Sequence, residues 1–533
     1  MISLSEYFLL QMTANQPIKI KNALISVSDK TGLDELAKQL IAYEINFIST
    51  GGTANYLREH QCEVTDVNTV TGFPEMMDGR VKTLHPLIYA GLLNRPIVDE
   101  DILKEYSITN IDLVIVNLYP FEKIISMDDC DEEMAIENID IGGPSMIRAT
   151  AKNFSTKTIV TNPDDYELLI KELQKNQGSI SYEVRKSLAL KAFGYTANYD
   201  AAIWNYFSNS SLNKNFPNQL PIGLTKKLKL RYGENPHQKA AAYKTKKASS
   251  NTLLESNIHQ GKELSYNNLL DANAAIQCVQ SFNQPACVIV KHVNPCGVAI
   301  GNNLNEAYEK SFQTDPESAF GGVISVNQNV DQKLAAKIIN NQFLEILIAP
   351  SFSSDALQEL ANKKNIRVIE MDDFNKHPVD FVIQSIGGDF LIQENDEKEL
   401  QQTDLNIMTK KQPTELEIQD MLFAWKVVKY VKSNAIVFAR EQQTIGIGAG
   451  QMSRVMSAKI ASLKAAAADL DTNNCIMASD GFFPFKDSIE MVSKYGIHCV
   501  IQPGGSIKDD EIIEAANKKD MVMAFTGIRH FRH

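Results

Sequence analysis

The stretch ALISVSDKTGLDELAKQLIAYEINFISTGGTANYLREH (23–60) decides the fold class. ALISVS (23–28) is a short β-type run, and TGLDELAKQLIAYE (31–44) carries apolar residues at helical spacing. INFIS (45–49) is strand-like again, and TANYLREH (53–60) is helical. Strand–helix alternation with short Gly- or Asp-containing joints predicts an α/β layer around a mostly parallel sheet. Further along, IDLVIVNLY (111–119) is a continuous apolar run of the kind a buried parallel strand shows. The acidic helix expected over 128–138 reads most simply as a solvated face.

Working outward, SNSSLNKNFPNQLP (208–221) turns to Ser, Asn and Pro without periodicity and reads as a linker. It separates a first domain, 17–207, from a second, 222–533; residues 1–16 read as a tail. Beyond the linker a strand runs into a turn three times. ACVIV (286–290) precedes NPCG (294–297), AIVFA (435–439) precedes GIGAG (446–450), and HCVIQ (498–502) precedes PGGS (503–506). The recurrence implies related subdomains within the second domain, although no fixed-period repeat is visible.

The 533 residues are 44% hydrophobic and 22% charged, a globular composition that excludes disordered and fibrous classes. A net charge of −12 argues against coating nucleic acid, so anionic ligands need local basic pockets. The longest apolar runs fall far short of the ~20 residues that cross a bilayer, so no membrane association is expected. Seven single cysteines without a C-x-x-C pair fit a reducing compartment. The start, MISLSEYFLLQM, lacks the basic region of a signal peptide, and a cytoplasmic location is expected.

Several segments carry chemistry. STGGT (49–53), between a strand and a helix, offers backbone N–H groups to phosphate, or is an ordinary turn with Thr53 as N-cap. SVSDKTG (26–32) repeats the arrangement and adds Lys30; two such loops at adjacent strand ends face one crevice. GRVKTLHP (79–86) gathers Arg80, Lys82, Thr83 and His85, which suits an anion site or a solvated loop. Asp140 in DIGG can reach a ligand or bond its own backbone, and Lys152 is a candidate for proton transfer. RYGENPHQ (231–238) packs Arg231, Tyr232, Asn235 and His237 around a turn. Lys291-His292 follows a buried strand, where a neutral imidazole could act as a base or simply pack. Pro295-Cys296 lacks the second Cys and the H-x-E of a zinc deaminase, so no zinc site is expected. GIGAGQ (446–451) puts Gln451 where a dinucleotide fingerprint needs Gly and reads as a Gly loop supporting Arg454. The C-terminal TGIRHFRH is either a frayed tail or a docked anion-binding end.

Taken together, SVSDKTGL, STGGT, TGFPEMMDGRVKTLHP, NLYPF, ENIDIGGPSMIRATAKN, RYGENPHQ, KHVNPCG, ESAFGG, GIGAGQMSR, GFFPFKD, QPGGS and TGIRHFRH resemble one family in order and along the chain from Lys21. It is the bifunctional purine-biosynthesis (PurH) family, which combines phosphoribosylaminoimidazolecarboxamide (AICAR) formyltransferase with IMP cyclohydrolase. The resemblance implies a methylglyoxal-synthase-like parallel-sheet domain followed by a transformylase of two cytidine-deaminase-like α/β subdomains. It also implies a homodimer with transformylase sites at the subunit interface. The substrates would be AICAR, its formylated form and 10-formyltetrahydrofolate as co-substrate; a monovalent cation is left open.

Position by position, the resemblance places Ser28, Asp29, Lys30, Thr50, Gly51, Gly52, Thr53, Arg80, Thr83, Asn117 and Ile141 on the cyclohydrolase nucleotide. Lys82, Tyr119, Asp140 and Lys152 would serve its chemistry. In the transformylase, Arg231, Tyr232, Gly321, Glu345, Asn434, Arg454 and Arg529 would contact AICAR, with His292 as base and Lys291 as oxyanion donor. Met452, Phe482, Asp487, Ser506 and Ile507 would lie near the folate. Tyr89 and Tyr195 stand where that family usually shows His.

Overall fold

The computed structural model describes residues 16–210, 216–245, 252–372, 374 and 381–533. The chain divides into two units, Met1–Thr225 with Lys244–Ala248, and Lys226–Tyr243 with Ser249–His533. The tail expected over 1–16 lies outside the described residues except for Gln16. Within the expected linker, 208–210 complete a long helix, Tyr182–Ser210, and 211–215 lie outside the described residues.

The first unit is built on five parallel strands: β1 (Asn22–Val27), β2 (Asn46–Ser49), β3 (Val64–Asp66), β4 (Leu113–Asn117) and β5 (Thr158–Val160). Their order is β3-β2-β1-β4-β5. Along β4, Leu113 and Ile115 enter one core while Val114 and Val116 enter another, so the sheet is buried on both faces. That is why 111–116 reads as an unbroken apolar run. Strand order reverses between β1 and β4, and the crevice beyond their carboxyl ends is a topological switch point. Helices α1 (Leu33–Ile41) and α2 (Gly51–Glu59) follow β1 and β2, while α3 (Pro86–Leu93) and α4 (Gly142–Lys152) flank β4 in sequence. The helix Tyr182–Ser210, α5, packs along α4 and β5. Thr53 is not an N-cap: the cap position is Thr50, and Thr53 sits inside α2.

The second unit contains one mixed twelve-stranded sheet made of two like halves. In the first, helix α6 (Tyr266–Val279) leads into the hairpin β6 (Ala286–Lys291) and β7 (Asn294–Ile300), then helix α7 (Leu304–Thr314). Strands β8 (Gly322–Val326), β9 (Leu344–Ala349) and β10 (Arg367–Glu370) follow. The second half repeats this with helix α8 (Glu415–Val428), hairpin β11 (Ile436–Arg440) and β12 (Gln443–Gly448), and helix α9 (Arg454–Ala467). It ends with β13 (Ile476–Ser479), β14 (Cys499–Gln502) and β15 (Val522–Phe525). The halves meet where β7 pairs with β12. The duplication that the sequence showed only as a recurring rhythm is therefore complete in topology.

Two local readings change. The first hairpin turns at His292 and Val293, with φ of 52° and 63°, and NPCG opens β7. The second turns at Glu441 and Gln442, with φ of 51° and 53°, so GIGAG begins inside β12. The glycines serve packing. A Cβ on Gly297 would lie 1.9 Å from the Ser311 carbonyl oxygen of α7, and one on Gly446 would lie 2.2 Å from the Ala461 oxygen of α9. Only glycine lets these helices approach so closely.

Candidate active sites

Five loops meet at the switch point of the first unit and form a closed circuit. Asn117, at the end of β4, accepts the N–H groups of Ser28 and Asp29 on Oδ1 at 2.7 and 2.8 Å, and its Nδ2 donates to the Asp29 carbonyl at 2.8 Å. Thr53 Oγ1 accepts the Val27 N–H and donates to the Val27 carbonyl, both at 3.1 Å. The first turn of α2 is thereby fixed to the end of β1. Gly51 has a left-handed φ of 48°, and a Cβ there would stand 2.7 Å from Lys82 Nζ. Thr83 Oγ1 is 3.1 Å from the corresponding point on Gly142. Asp140 closes the circuit by accepting the N–H groups of Gly143, at 2.8 Å, and Tyr119.

The circuit surrounds a region rich in donors. Helix α2 has no side chain capping its N-terminus, so the N–H groups of Gly51, Gly52 and Thr53 point outward with the positive end of the helix. Lys30 and Lys82 are half-buried; Lys82 stands against Gly51 and pairs with Glu75 at 2.7 Å, and Lys30 turns back to the Ser28 carbonyl. Asp29 accepts from the Thr31 hydroxyl and N–H, which holds its carboxyl below the usual range. Burial pushes the Asp140 carboxyl the other way, above it, against the pull of the two N–H groups. Tyr119 and Ile141 are exposed at the rim, and Arg80 pairs with Glu137 on the surface. His85 caps α3, accepting the Leu87 N–H on Nδ1 at 3.3 Å. Lys152 is exposed at the last residue of the 11-residue helix α4, whose first turn Asp140 caps. A helix of that length puts it about 16 Å away, and the structure does not bring it to the circuit.

In the second unit the chemistry collects along one edge of the sheet. Lys291 Nζ donates to the Phe320 carbonyl at 2.7 Å, beside Gly321, whose N–H donates to Phe343 at 2.8 Å. His292 is exposed on its turn, and Asp271 of α6 accepts the Val293 N–H at 2.6 Å to hold it there. Asn294 ties this turn to the other half: its Nδ2 donates to the His292 carbonyl at 3.0 Å and its Oδ1 accepts the Lys432 N–H at 2.9 Å. Glu345 is held by Arg367 at 2.7 Å.

Two residues from Lys432, Asn434 bonds Gln451 through both its N–H and Nδ2, at 3.0 and 2.7 Å. Asp480, fully buried, accepts from Ser433 Oγ at 2.5 Å and Arg454 at 3.4 Å. Phe531 lies beneath Arg454 and Arg529, 5.5 and 4.2 Å from the ring centre. Ser433, Asn434, Gly450, Gln451, Met452, Phe531 and His533 line an open pocket of about 260 Å³. The C-terminus is docked, since Ser433 donates to the Arg532 carbonyl at 2.9 Å and His530 is buried.

Phe482 follows Gly481, where a Cβ would lie 2.0 Å from Arg454, and Phe483 donates its N–H to Gln502 at 2.8 Å. Ser506 and Ile507 lie in the loop that follows β14, which ends at Gln502, and Asp487 opens the helix Asp487–Lys494. Met452 and Ile507 are exposed at 98% and 106%. Arg231 stacks on Tyr232 at 4.7 Å and donates to its hydroxyl. Among the described residues no bond joins this pair to the Arg454 cluster. Cys296 is buried, its thiol pushed up to about 12 by burial. Among the described residues no group of three or more His, Cys, Asp or Glu could hold a metal ion, and no helix is long and apolar enough to cross a membrane.

Sequence reasoning missed Asp271, Asn294 and Asp480, which hold the functional segments without belonging to a charged motif. It also missed Tyr199, whose signal was its place four residues after Tyr195 on one helix.

A five-stranded parallel sheet with a loop circuit at its switch point, in one chain with a duplicated mixed sheet, defines a two-unit α/β architecture. Residues 32–145 match the MGS-like domain. The chain belongs to the AICARFT/IMPCHase bienzyme family, whose model matches residues 150–464, more than half of it. That family couples folate-dependent AICAR formyl transfer with IMP cyclohydrolase activity in purine biosynthesis. A solved structure titled "Crystal structure of ForH" is 35% identical over 35% of this chain and 98% of that one, with a TM-score of 0.32.

Proposed function

We propose that this chain performs the last two steps of de novo IMP synthesis: formyl transfer from 10-formyltetrahydrofolate to AICAR, then dehydrative ring closure of formyl-AICAR. The closed circuit of loops at the switch point carries the cyclisation half. Ser28, Asp29, Lys30 and the 50–53 turn would hold the nucleotide phosphate; Arg80, Lys82, Thr83, Asn117 and Ile141 would surround the base. The carboxamide nitrogen bonds the formyl carbon, its proton and that of the formamide nitrogen pass to the formyl oxygen, and the carbon–oxygen bond breaks to release water as the ring C=N bond forms. Asp140 takes the nitrogen's proton, and Lys82 and Tyr119 donate to the developing oxyanion. The reaction is intramolecular, so positioning supplies much of the acceleration. Lys152 is proposed as a proton-transfer residue on the resemblance alone. It stands about 16 Å along α4 from the Asp140 end, and cyclisation by Lys152→Ala tests the assignment.

In the transfer half, the AICAR amine is a weak nucleophile because its lone pair is delocalised. His292 takes the amine proton as nitrogen bonds the formyl carbon. Lys291, with one of its N–H groups on Phe320, donates another to the formyl oxygen. The bond from that carbon to the folate nitrogen then breaks, and the proton returns to the departing nitrogen. Arg231, Tyr232, Gly321, Glu345, Asn434, Arg454 and Arg529 would bind AICAR; Met452, Phe482, Asp487, Ser506 and Ile507 would border the folate. A homodimer, in which a second subunit completes the folate pocket, belongs to the same reading and rests on the resemblance. The enzyme is read as cytoplasmic, with no nucleic-acid or membrane partner.

Mass-spectrometric product analysis after adding AICAR and 10-formyltetrahydrofolate to the purified chain tests the reading. IMP is expected. Formyl-AICAR without IMP would overturn the cyclisation half, and no product would leave a nucleotide-binding protein.

A further inference from the structure

The long helix α5 sends two tyrosines, one turn apart, behind the cyclisation site. The Tyr195 hydroxyl accepts the N–H of Leu118 at 3.0 Å, the residue immediately before Tyr119. The Tyr199 hydroxyl accepts the N–H of Asp140 at 2.9 Å and is 3.3 Å from the Asn138 carbonyl, to which it donates. Residues four apart on a helix lie side by side, so the two hydroxyls form a fixed pair. Tyr199 is buried, with its ring edge-on to Phe121 at 6.2 Å, and burial pushes its phenol up to about 12, so it stays a neutral hydroxyl. Four backbone N–H groups of the two loops are thereby engaged. Tyr195 takes Leu118, Asp140 takes Tyr119 and Gly143, and Tyr199 takes Asp140.

We propose that Tyr195 and Tyr199 are positioning residues for ring closure, fixing the separation between Tyr119 and the Asp140 carboxylate from behind the site. The inference rests on the cyclisation reading above. Neither tyrosine needs to touch substrate: each holds the backbone of a loop whose neighbouring side chain does. Without Tyr199 the Asp140 loop is still tied to Tyr119 through the Asp140 carboxylate, but its backbone loses the anchor to α5 and the aim of that carboxylate is no longer fixed from behind, a misplacement to which intramolecular reactions are sensitive.

The test uses the full-length enzyme with formyl-AICAR supplied directly. Tyr199→Phe is expected to lower the cyclisation kcat about tenfold or more while KM stays within about twofold, and the double variant Tyr195→Phe/Tyr199→Phe should lower it further. Tyr195→His, whose ring nitrogen can accept the same N–H, should recover most of the rate lost in Tyr195→Phe. Formyl transfer from AICAR, measured on the same samples, should be unchanged. A purely structural role would lower thermal stability and leave kcat intact well below the melting temperature, and that result would overturn the proposal. If the double variant does not fold, the comparison of Tyr195→Phe with Tyr195→His still decides. If the wild type fails to cyclise formyl-AICAR at all, the cyclisation reading itself falls. If it cyclises and Asp140→Asn abolishes the rate while both tyrosine variants keep it, only the positioning role is wrong.

Discussion

Asn117 holds Ser28 across the strand boundary where the first sheet reverses its order, its Oδ1 2.7 Å from the Ser28 N–H. One carboxamide at the end of β4 thereby shapes the loop that follows β1, receiving two N–H groups and returning one bond to the Asp29 carbonyl. Asn117→Ala leaves these partly buried groups without their partner, at a cost of about 1 kcal/mol. Loop 28–32 should lose its shape, and cyclisation kcat/KM should fall about 100-fold while formyl transfer is retained. Steady-state rates for each half-reaction check this; equal losses in both would refute it.

Gly51 brings a second constraint to the same crevice. Its φ of 48° disfavours any side chain, and a methyl group would stand 2.7 Å from Lys82 Nζ. Gly51→Ala should cost about 1–2 kcal/mol of strain and displace the Lys82 ammonium, lowering cyclisation about 100-fold. Isothermal titration with IMP should show weaker binding; unchanged binding would mean that Lys82 is not part of the nucleotide site.

The sequence made the first sheet legible because β1 and β4 are buried on both faces and their apolar runs have no competing period. The joints after β1 and β2 were legible as strand-to-helix turns because their Gly, Ser and Asp residues interrupt two apolar runs. The turns of the second unit were not. His292 and Val293 adopt left-handed φ without Gly, Asn or Asp, and the bond from Val293 to Asp271, 22 positions earlier, sets a conformation that local propensity disfavours. Gly446 was read as loop when it is a contact point for α9, because close helix packing and loop flexibility ask for the same residue. Asp140 and Lys152 look like neighbours in ENIDIGGPSMIRATAKN until that segment is drawn as a helix, which puts them at opposite ends.

Asp140 couples chemistry to pH. Burial raises its carboxyl pKa above the unfolded value, so the native state binds a proton more readily than the unfolded chain. Stability associated with this group is present at low pH and is lost as pH rises through the folded pKa. Asp140→Asn should therefore gain stability relative to wild type between pH 4 and pH 7, by urea melts, while losing cyclisation at least 100-fold. A stability difference independent of pH would show that the carboxylate is not strained by burial.

His292 separates the two halves functionally. His292→Ala should lower formyl transfer by about 10²–10⁴-fold and leave cyclisation of supplied formyl-AICAR unchanged. Transfer within a few-fold of wild type would remove His292 from the role of base. Asp271→Ala should give a smaller loss of the same kind, since it holds the turn through the Val293 N–H and not the imidazole.

Lys157 lies at the opposite edge of the first sheet from the loop circuit, just before β5. It is buried beside Asp112, with its ammonium on Asn94 and Asn110, and burial lowers its pKa to about 8. Between that value and the ordinary value of 10.5 the unfolded chain binds the proton that the native state has lost. This group therefore makes stability rise with pH across that window. Lys157→Met removes the titration while keeping an unbranched apolar stem. Melts from pH 7.5 to 10 should show wild type gaining stability relative to the variant as pH increases. A constant difference would mean that Lys157 stays charged in the folded protein, fully compensated by Asp112, and that the Asn94 and Asn110 contacts serve an ammonium throughout.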